Sequence, residues 1–124
     1  MIFVFGSNTA GRHGAGAART AYEKHGARWN KGYGHYGNSF AIPTKDANLQ
    51  TMPLEDIKPF VDGFLAYAKA HPELTFQVTR IGCGLAGYGN RDIAPMFEDA
   101  PKNCHFDDKW FDILGHEFYY WGTV

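Results

Sequence analysis

Short apolar runs and glycine clusters alternate along this chain, and the alternation predicts its elements. Ile2 to Phe5 (IFVF) is a continuous apolar run with β-branched and aromatic members, the pattern of a strand buried on both faces. It ends at Gly6-Ser7-Asn8. Gly11-Arg12-His13-Gly14-Ala15-Gly16 follows, and Ala17 to His25 then reads as a helix closed by Gly26. Alanines at 15, 17, 18 and 21 give that helix a smooth face suited to close packing on a sheet. Residues 28–38, rich in Gly, Tyr, Trp and Asn, read as a surface loop. Ser39 to Thr44 predicts a second strand, with Pro43 placing its end outside a regular ladder. The strongest periodicity lies between Leu54 and Ala70, where Ile57, Phe60, Val61, Phe64, Leu65 and Ala68 mark one face of an amphipathic helix. Phe76 to Ile81 predicts a third strand and Gly82 to Gly89 a glycine-rich loop. Arg91 to Asp99 predicts a short helix containing an awkward Pro95, and Phe118 to Trp121 a last strand.

The order strand, helix, strand, helix, strand, helix, strand predicts one layered α/β domain over residues 1–124 with a largely parallel sheet. Right-handed crossovers set the loops after successive strands on one rim. Ligands of such sheets bind beyond the carboxyl ends of the strands. Three loops of unusual composition, 6–16, 44–48 and 82–89, are expected to meet there.

Composition narrows the functions available. The chain has 124 residues, 44% of them hydrophobic, enough for one core without staples. A formal net charge of -1 argues against broad binding to duplex nucleic acid, which needs a basic face to release counterions. Phosphate binding would have to be local. Cys83 and Cys104 are far apart, and no C-x-x-C or H-E-x-x-H spacing occurs, so no metal site is expected; a disulfide is possible but not required at this length, and both thiols read as reduced. The first residues lack a basic segment followed by a long apolar one, and no run reaches membrane-spanning length. The expectation is a cytoplasmic protein with no membrane partner and no cofactor.

The loops carry the candidate chemistry. Glycines at 11, 14 and 16 allow close backbone approach, and a helix beginning at their end directs free N–H groups outward, a setting for phosphate with Arg12 or His13 adding charge. The alternative is a turn needing glycine for geometry alone. Gly82-Cys83-Gly84-Leu85-Ala86-Gly87-Tyr88-Gly89 can form an anion nest with Tyr88 stacked on a ribose or base, or else a glycine-rich hairpin with a packed tyrosine. Lys45, directly after a strand, can neutralise a phosphate, act as a nucleophile, or stand solvated beside Asp46. Asn8 can hydrogen-bond a ribose hydroxyl or satisfy its own turn.

These segments, in this order, resemble the macrodomain family, and more narrowly its branch of ADP-ribosyl glycohydrolases with a catalytic lysine. The resemblance rests on Asn8, on Gly14-Ala15-Gly16-Ala17 running to Lys24-His25-Gly26, on Ala41-Ile42-Pro43-Thr44-Lys45, and on Arg80-Ile81-Gly82-Cys83-Gly84-Leu85, the most specific match. It covers roughly residues 2 to 98, and the compact form is similar to small phage-encoded proteins. It implies a three-layer α/β/α fold with a mostly parallel mixed sheet. It also implies binding of ADP-ribose or a related nucleotide, free or carried on an ADP-ribosylated macromolecule. The ligand-binding set so implied is Asn8, Gly14, Ala15, Gly16, Thr44, Gly82, Cys83, Gly84, Leu85, Ala86, Gly87 and Tyr88, with Lys45 catalytic. One type of member pairs that lysine with an aspartate directly after Gly-Cys-Gly-Leu. Ala86 stands there in this chain, which leaves Asp92 or Asp46 as substitutes, or the lysine alone. The early aspartate that reads adenine in many macrodomains has no counterpart ahead of Asn8, so base recognition stays unassigned. The competing functions are a non-catalytic reader or sequestering protein for such a nucleotide, and an interaction protein using Trp29, Tyr33 and Tyr36.

Overall fold

The structure is a computed structural model that describes residues 1–123. The chain forms a three-layer α/β/α fold around a six-stranded mixed sheet. Its elements are β1 (Ile2–Asn8), α1 (Gly16–Lys24), β2 (Gly34–Tyr36), β3 (Ser39–Lys45), α2 (Leu54–Ala70), β4 (Phe76–Val78), α3 (Asn90–Ile93), β5 (Cys104–Asp107), α4 (Phe111–Leu114) and β6 (Tyr119–Gly122). Single 3-10 turns, Ala94–Phe97 and Asp108–Trp110, follow α3 and precede α4. Strand order is β2-β3-β1-β4-β5-β6. Every neighbouring pair is parallel except β2 with β3.

The apolar run of β1 is continuous because both faces of the sheet are covered. Phe3 and Phe5 point to one face, where they meet Ala18, Ala21, Ala27 and Ala41. Ile2 and Val4 point to the other, into a larger core with Phe40, Ile42, Ile57, Val61, Phe64 and Ala68. Of the alanines expected to give α1 its smooth face, Ala18 and Ala21 are buried, whereas Ala15 and Ala17 are exposed. The α2 face lies as the periodicity predicts, with Ile57, Val61, Phe64 and Ala68 fully buried and Phe60 and Leu65 packed at the margin.

The structure departs from the sequence expectation in several places, among them a short helix, α4, where none was expected. Residues 34–36 form the short strand β2 inside the stretch read as a loop, paired with Ser39–Ala41. The third strand ends at Val78 because Thr79 turns its backbone N–H and its hydroxyl onto the Val4 carbonyl (3.1 and 2.7 Å). The helix expected from Arg91 is one α turn that tightens to a 3-10 turn at Pro95, a residue that has no N–H to continue the ladder. Strand β5 was not expected at all. Its Cys-His-Phe-Asp sequence does alternate apolar and polar residues, but over only four positions.

Pro43 sits where β3 needs no partner on its outer side. β2 covers only Ser39–Ala41, and the ladder with β1 shifts register between Ser7 and Asn8.

Asn103 fastens the turn between α2 and β4 to the start of β5. Its amide nitrogen lies 3.0, 3.1 and 3.0 Å from the carbonyl oxygens of Ala68, His71 and Leu74. Asn103→Ala strands part-buried carbonyls and is expected to lower the unfolding free energy by about 1–3 kcal/mol, read from urea denaturation. An unchanged midpoint would contradict this anchoring role.

Candidate functional site

The helices that follow neighbouring strands leave the sheet on opposite faces. α1, after β1, packs on the Phe3–Phe5 face, whereas α2, after β3, packs on the other. α3, after β4, also lies on the α2 side through Ile93. β1 therefore ends between two strands whose chains turn away from its own, and a crevice opens at its carboxyl end. The structure has a cleft of about 530 Å³ there, within the ~300–1,000 Å³ range of small-molecule sites.

Its floor is made of the ends of β1 (Gly6, Ser7, Asn8), β3 (Thr44, Lys45) and the segment after β4 (Thr79 to Gly82). These approach closely because Gly6 has no side chain. A Cβ there would lie 3.4 Å from both the Gly82 nitrogen and the Thr44 hydroxyl oxygen. One wall is Gly14 to Ala18, the entry into α1, and the other is Gly84, Leu85 and Ala86. The walls face one another, since a Cβ at Gly16 would stand 3.6 Å from Leu85 Cδ1.

Both walls present backbone donors. Ala15 provides no side-chain cap for α1, and the N–H groups of Gly16, Ala17 and Ala18 have no acceptor among the described residues. Neither have those of Gly84, Leu85 and Ala86, although Gly87 and Tyr88 close the loop onto the carbonyls of Gly84 and Gly82 (3.0 and 2.8 Å). An uncapped helix start and a row of loop amides are two anion-binding arrangements. Arg12, Lys45 and Arg80 also line the cleft and, among the described residues, no acidic one does, in a chain with as many acids as bases to within one. Arg80 is held from behind, its Nε 3.7 Å from the buried Asp107 carboxylate and its Nη1 3.3 Å from Asn90 Oδ1.

Of the residues expected at the site, Asn8, Gly14, Ala15, Gly16, Thr44, Lys45, Gly82, Gly84, Leu85 and Ala86 line this one cleft. Cys83, Gly87, Tyr88 and Asp92 do not. Tyr88 donates its hydroxyl to the Met52 carbonyl (2.7 Å) with its ring against the core, so it braces the loop rather than stacking on a ligand. Cys83 also packs against the core. Burial pushes its thiol up, with Arg80 opposing, which leaves it a neutral thiol at pH 7. Asp92 accepts from the Gly89 N–H (2.9 Å), capping α3. Asp46 is engaged likewise, accepting from the N–H groups of Asn48 and Gln50 (2.9 and 3.0 Å). Neither carboxylate is offered to the cleft as a partner for Lys45.

Asn8 borders the cleft, but its amide is occupied. Oδ1 accepts from the Arg12 N–H and Nδ2 donates to the Arg12 carbonyl, both at 2.9 Å. Asn8 thus shapes the loop that leads to Gly14. Gly11, inside that loop, has φ +70°, and a Cβ there would sit 2.2 Å from the Lys31 nitrogen, so only glycine fits. The second wall is braced as well: the Thr51 hydroxyl, bridged opposite Lys45, donates to the Ala86 carbonyl (2.9 Å).

Arg80, Trp29 and Leu49 join the cleft without having been singled out as ligand-binding. Arg80 was visible as part of the motif around Gly82. Trp29 and Leu49 lie in loops whose sequence says nothing about where they fold. Comparison of the chain with protein-family models, with curated proteins and with solved structures returns no match.

Asn8→Asp keeps the acceptor for the Arg12 N–H and sets a carboxylate oxygen against the Arg12 carbonyl. It is expected to destabilise the ligand-free protein by about 1–3 kcal/mol, seen as a lowered thermal midpoint. An unchanged midpoint would show that the Asn8 amide does not anchor the loop.

Proposed function

We propose that this chain binds ADP-ribose or a closely related nucleotide derivative, with the diphosphate between the start of α1 and the Gly84–Ala86 loop. One observation carries the reading: two sets of backbone N–H groups with no acceptor among the described residues lie on opposite walls of a cleft lined by three basic side chains and, among those residues, by no acidic one. Such a site needs no basic surface elsewhere, which fits the net charge of -1. The macrodomain resemblance of these loops supplies the ligand class. In this reading the protein is a reader or sequestering module for the nucleotide, free or attached to a macromolecule.

A second reading is hydrolysis of an ADP-ribosyl linkage. It is favoured by the place of Lys45, at the end of β3 on the cleft and in no ion pair among the described residues. A neutral Lys45 Nζ would attack the anomeric carbon of the distal ribose. The bond to the substituent breaks, the substituent leaves with the electron pair and a proton, and water then releases ADP-ribose from the lysine. Binding is preferred because, among the described residues, no carboxylate lines the cleft to manage those protons.

Calorimetry with ADP-ribose, beside a release assay on an ADP-ribosylated substrate, separates the readings. Saturable binding without release is the expected result. Lys45→Ala is expected to fold normally and to bind ADP-ribose roughly tenfold more weakly, through loss of one charged contact. Release by the native protein that disappears in Lys45→Ala would establish the hydrolase instead. Release that survives the substitution would remove Lys45 from the mechanism. No heat and no rise in melting temperature with ADP-ribose would refute both readings.

A further inference from the structure

Large hydrophobic side chains exposed on this protein are few, and they are unevenly placed. Of eight among the described residues, Trp29, Leu49 and Leu85 line the cleft, and Tyr22 packs edge-on against Trp29 with ring centres 5.7 Å apart. Isolated exposed apolar residues need no explanation, but a group gathered on one binding cleft does. Leu49 adds backbone strain, with φ 63° in a residue that has a Cβ.

Trp29 is also held firmly. His13 meets it edge-on at 6.1 Å and an interplanar angle of 86°, and His13 is itself buried, with Nε2 2.8 Å from the Arg28 carbonyl and its ring against Phe5. The next residue, Asn30, donates its N–H to the Gly11 carbonyl (2.9 Å). The indole is thus mounted on the loop that carries Arg12 and Gly14, yet it remains 44% exposed. A diphosphate uses N–H groups and cations. It gives no role to a rigidly backed tryptophan or to two leucines.

We infer that the cleft recognises a planar heteroaromatic base of its ligand by stacking on Trp29, with Leu49 and Leu85 as the apolar rim. This rests on the nucleotide reading above and extends it, since the base end of the ligand is what the loop motifs leave unassigned. Aromatic stacking accepts any base face, so the shared chemistry is a flat heterocycle joined to a diphosphate. Adenine and a nicotinamide-type ring are its two sources.

Tryptophan emission tests it directly. Trp110 is fully buried and Trp121 donates its indole N–H to the Val78 carbonyl (2.9 Å), and neither lines the cleft, so ligand-dependent quenching reports Trp29. ADP, ADP-ribose, NAD and inorganic pyrophosphate are titrated, with calorimetry in parallel. Quenching by the base-bearing ligands and none by pyrophosphate is expected. Quenching by ADP and ADP-ribose assigns adenine to Trp29, and quenching by NAD alone assigns the nicotinamide ring. Trp29→Ala should weaken the quenching ligand about tenfold and leave pyrophosphate unchanged, whereas Trp29→Phe should stay within about threefold. Binding seen by calorimetry with unchanged emission, and with native affinity in Trp29→Ala, would overturn the inference while the nucleotide reading stands. No binding by any of the four would overturn both.

Discussion

Backbone N–H groups at the carboxyl rim of the sheet are the constraint on which the rest turns. A peptide N–H is a strong donor, and one that a helix start or loop leaves without a protein acceptor at the surface is open to water or a ligand. Here Gly16 to Ala18 and Gly84 to Ala86 have no acceptor among the described residues, and they stand on opposite walls of one cleft. The topology creates that arrangement. Because α1 leaves β1 toward one face while α2 and α3 lie on the other, the walls cannot close over the end of β1. Small residues complete it. Gly6 lets the ends of β3 and β4 approach the floor, and Gly14 and Gly84 leave open space where a side chain would otherwise stand.

The polar residues around the cleft act mostly on its shape. Asn8, Thr51, Tyr88 and Asp92 each direct their side-chain hydrogen bond to backbone, and so fix the loops instead of reaching into the cleft. This division suits a ligand held by amides, because a donor that is already placed costs little ordering on binding. It also separates binding from catalysis. Asp46 follows Lys45 in the chain, but it and Asp92 each accept from backbone N–H groups and neither lines the cleft with the lysine.

Much of this was legible in the sequence because it depends on local pattern. The apolar run of β1, the periodicity of α2 and the glycine clusters after three strands are short-range signals, and they are enough to bring Gly14, Lys45 and Gly84 to one rim. What was not legible depends on partners distant in the chain. β5 is a strand because β4 and β6 flank it, and its four alternating residues are too short a run to announce it. Tyr88 looked like a stacking residue, but the Met52 carbonyl, 36 residues away, takes its hydroxyl. Trp29 reads from the sequence as part of an exposed aromatic loop with Tyr33 and Tyr36, and the packing of residues 28–31 against Gly11 brings it to the cleft.

The central proposition is that these two groups of amides jointly hold a diphosphate. Amide proton and nitrogen chemical shifts of the labelled protein, followed while ADP is added, test it most directly. The largest changes should fall on Gly16 to Ala18 and Gly84 to Ala86 and saturate together with one dissociation constant. Changes confined to one of the two segments, or centred elsewhere on the surface, would contradict it.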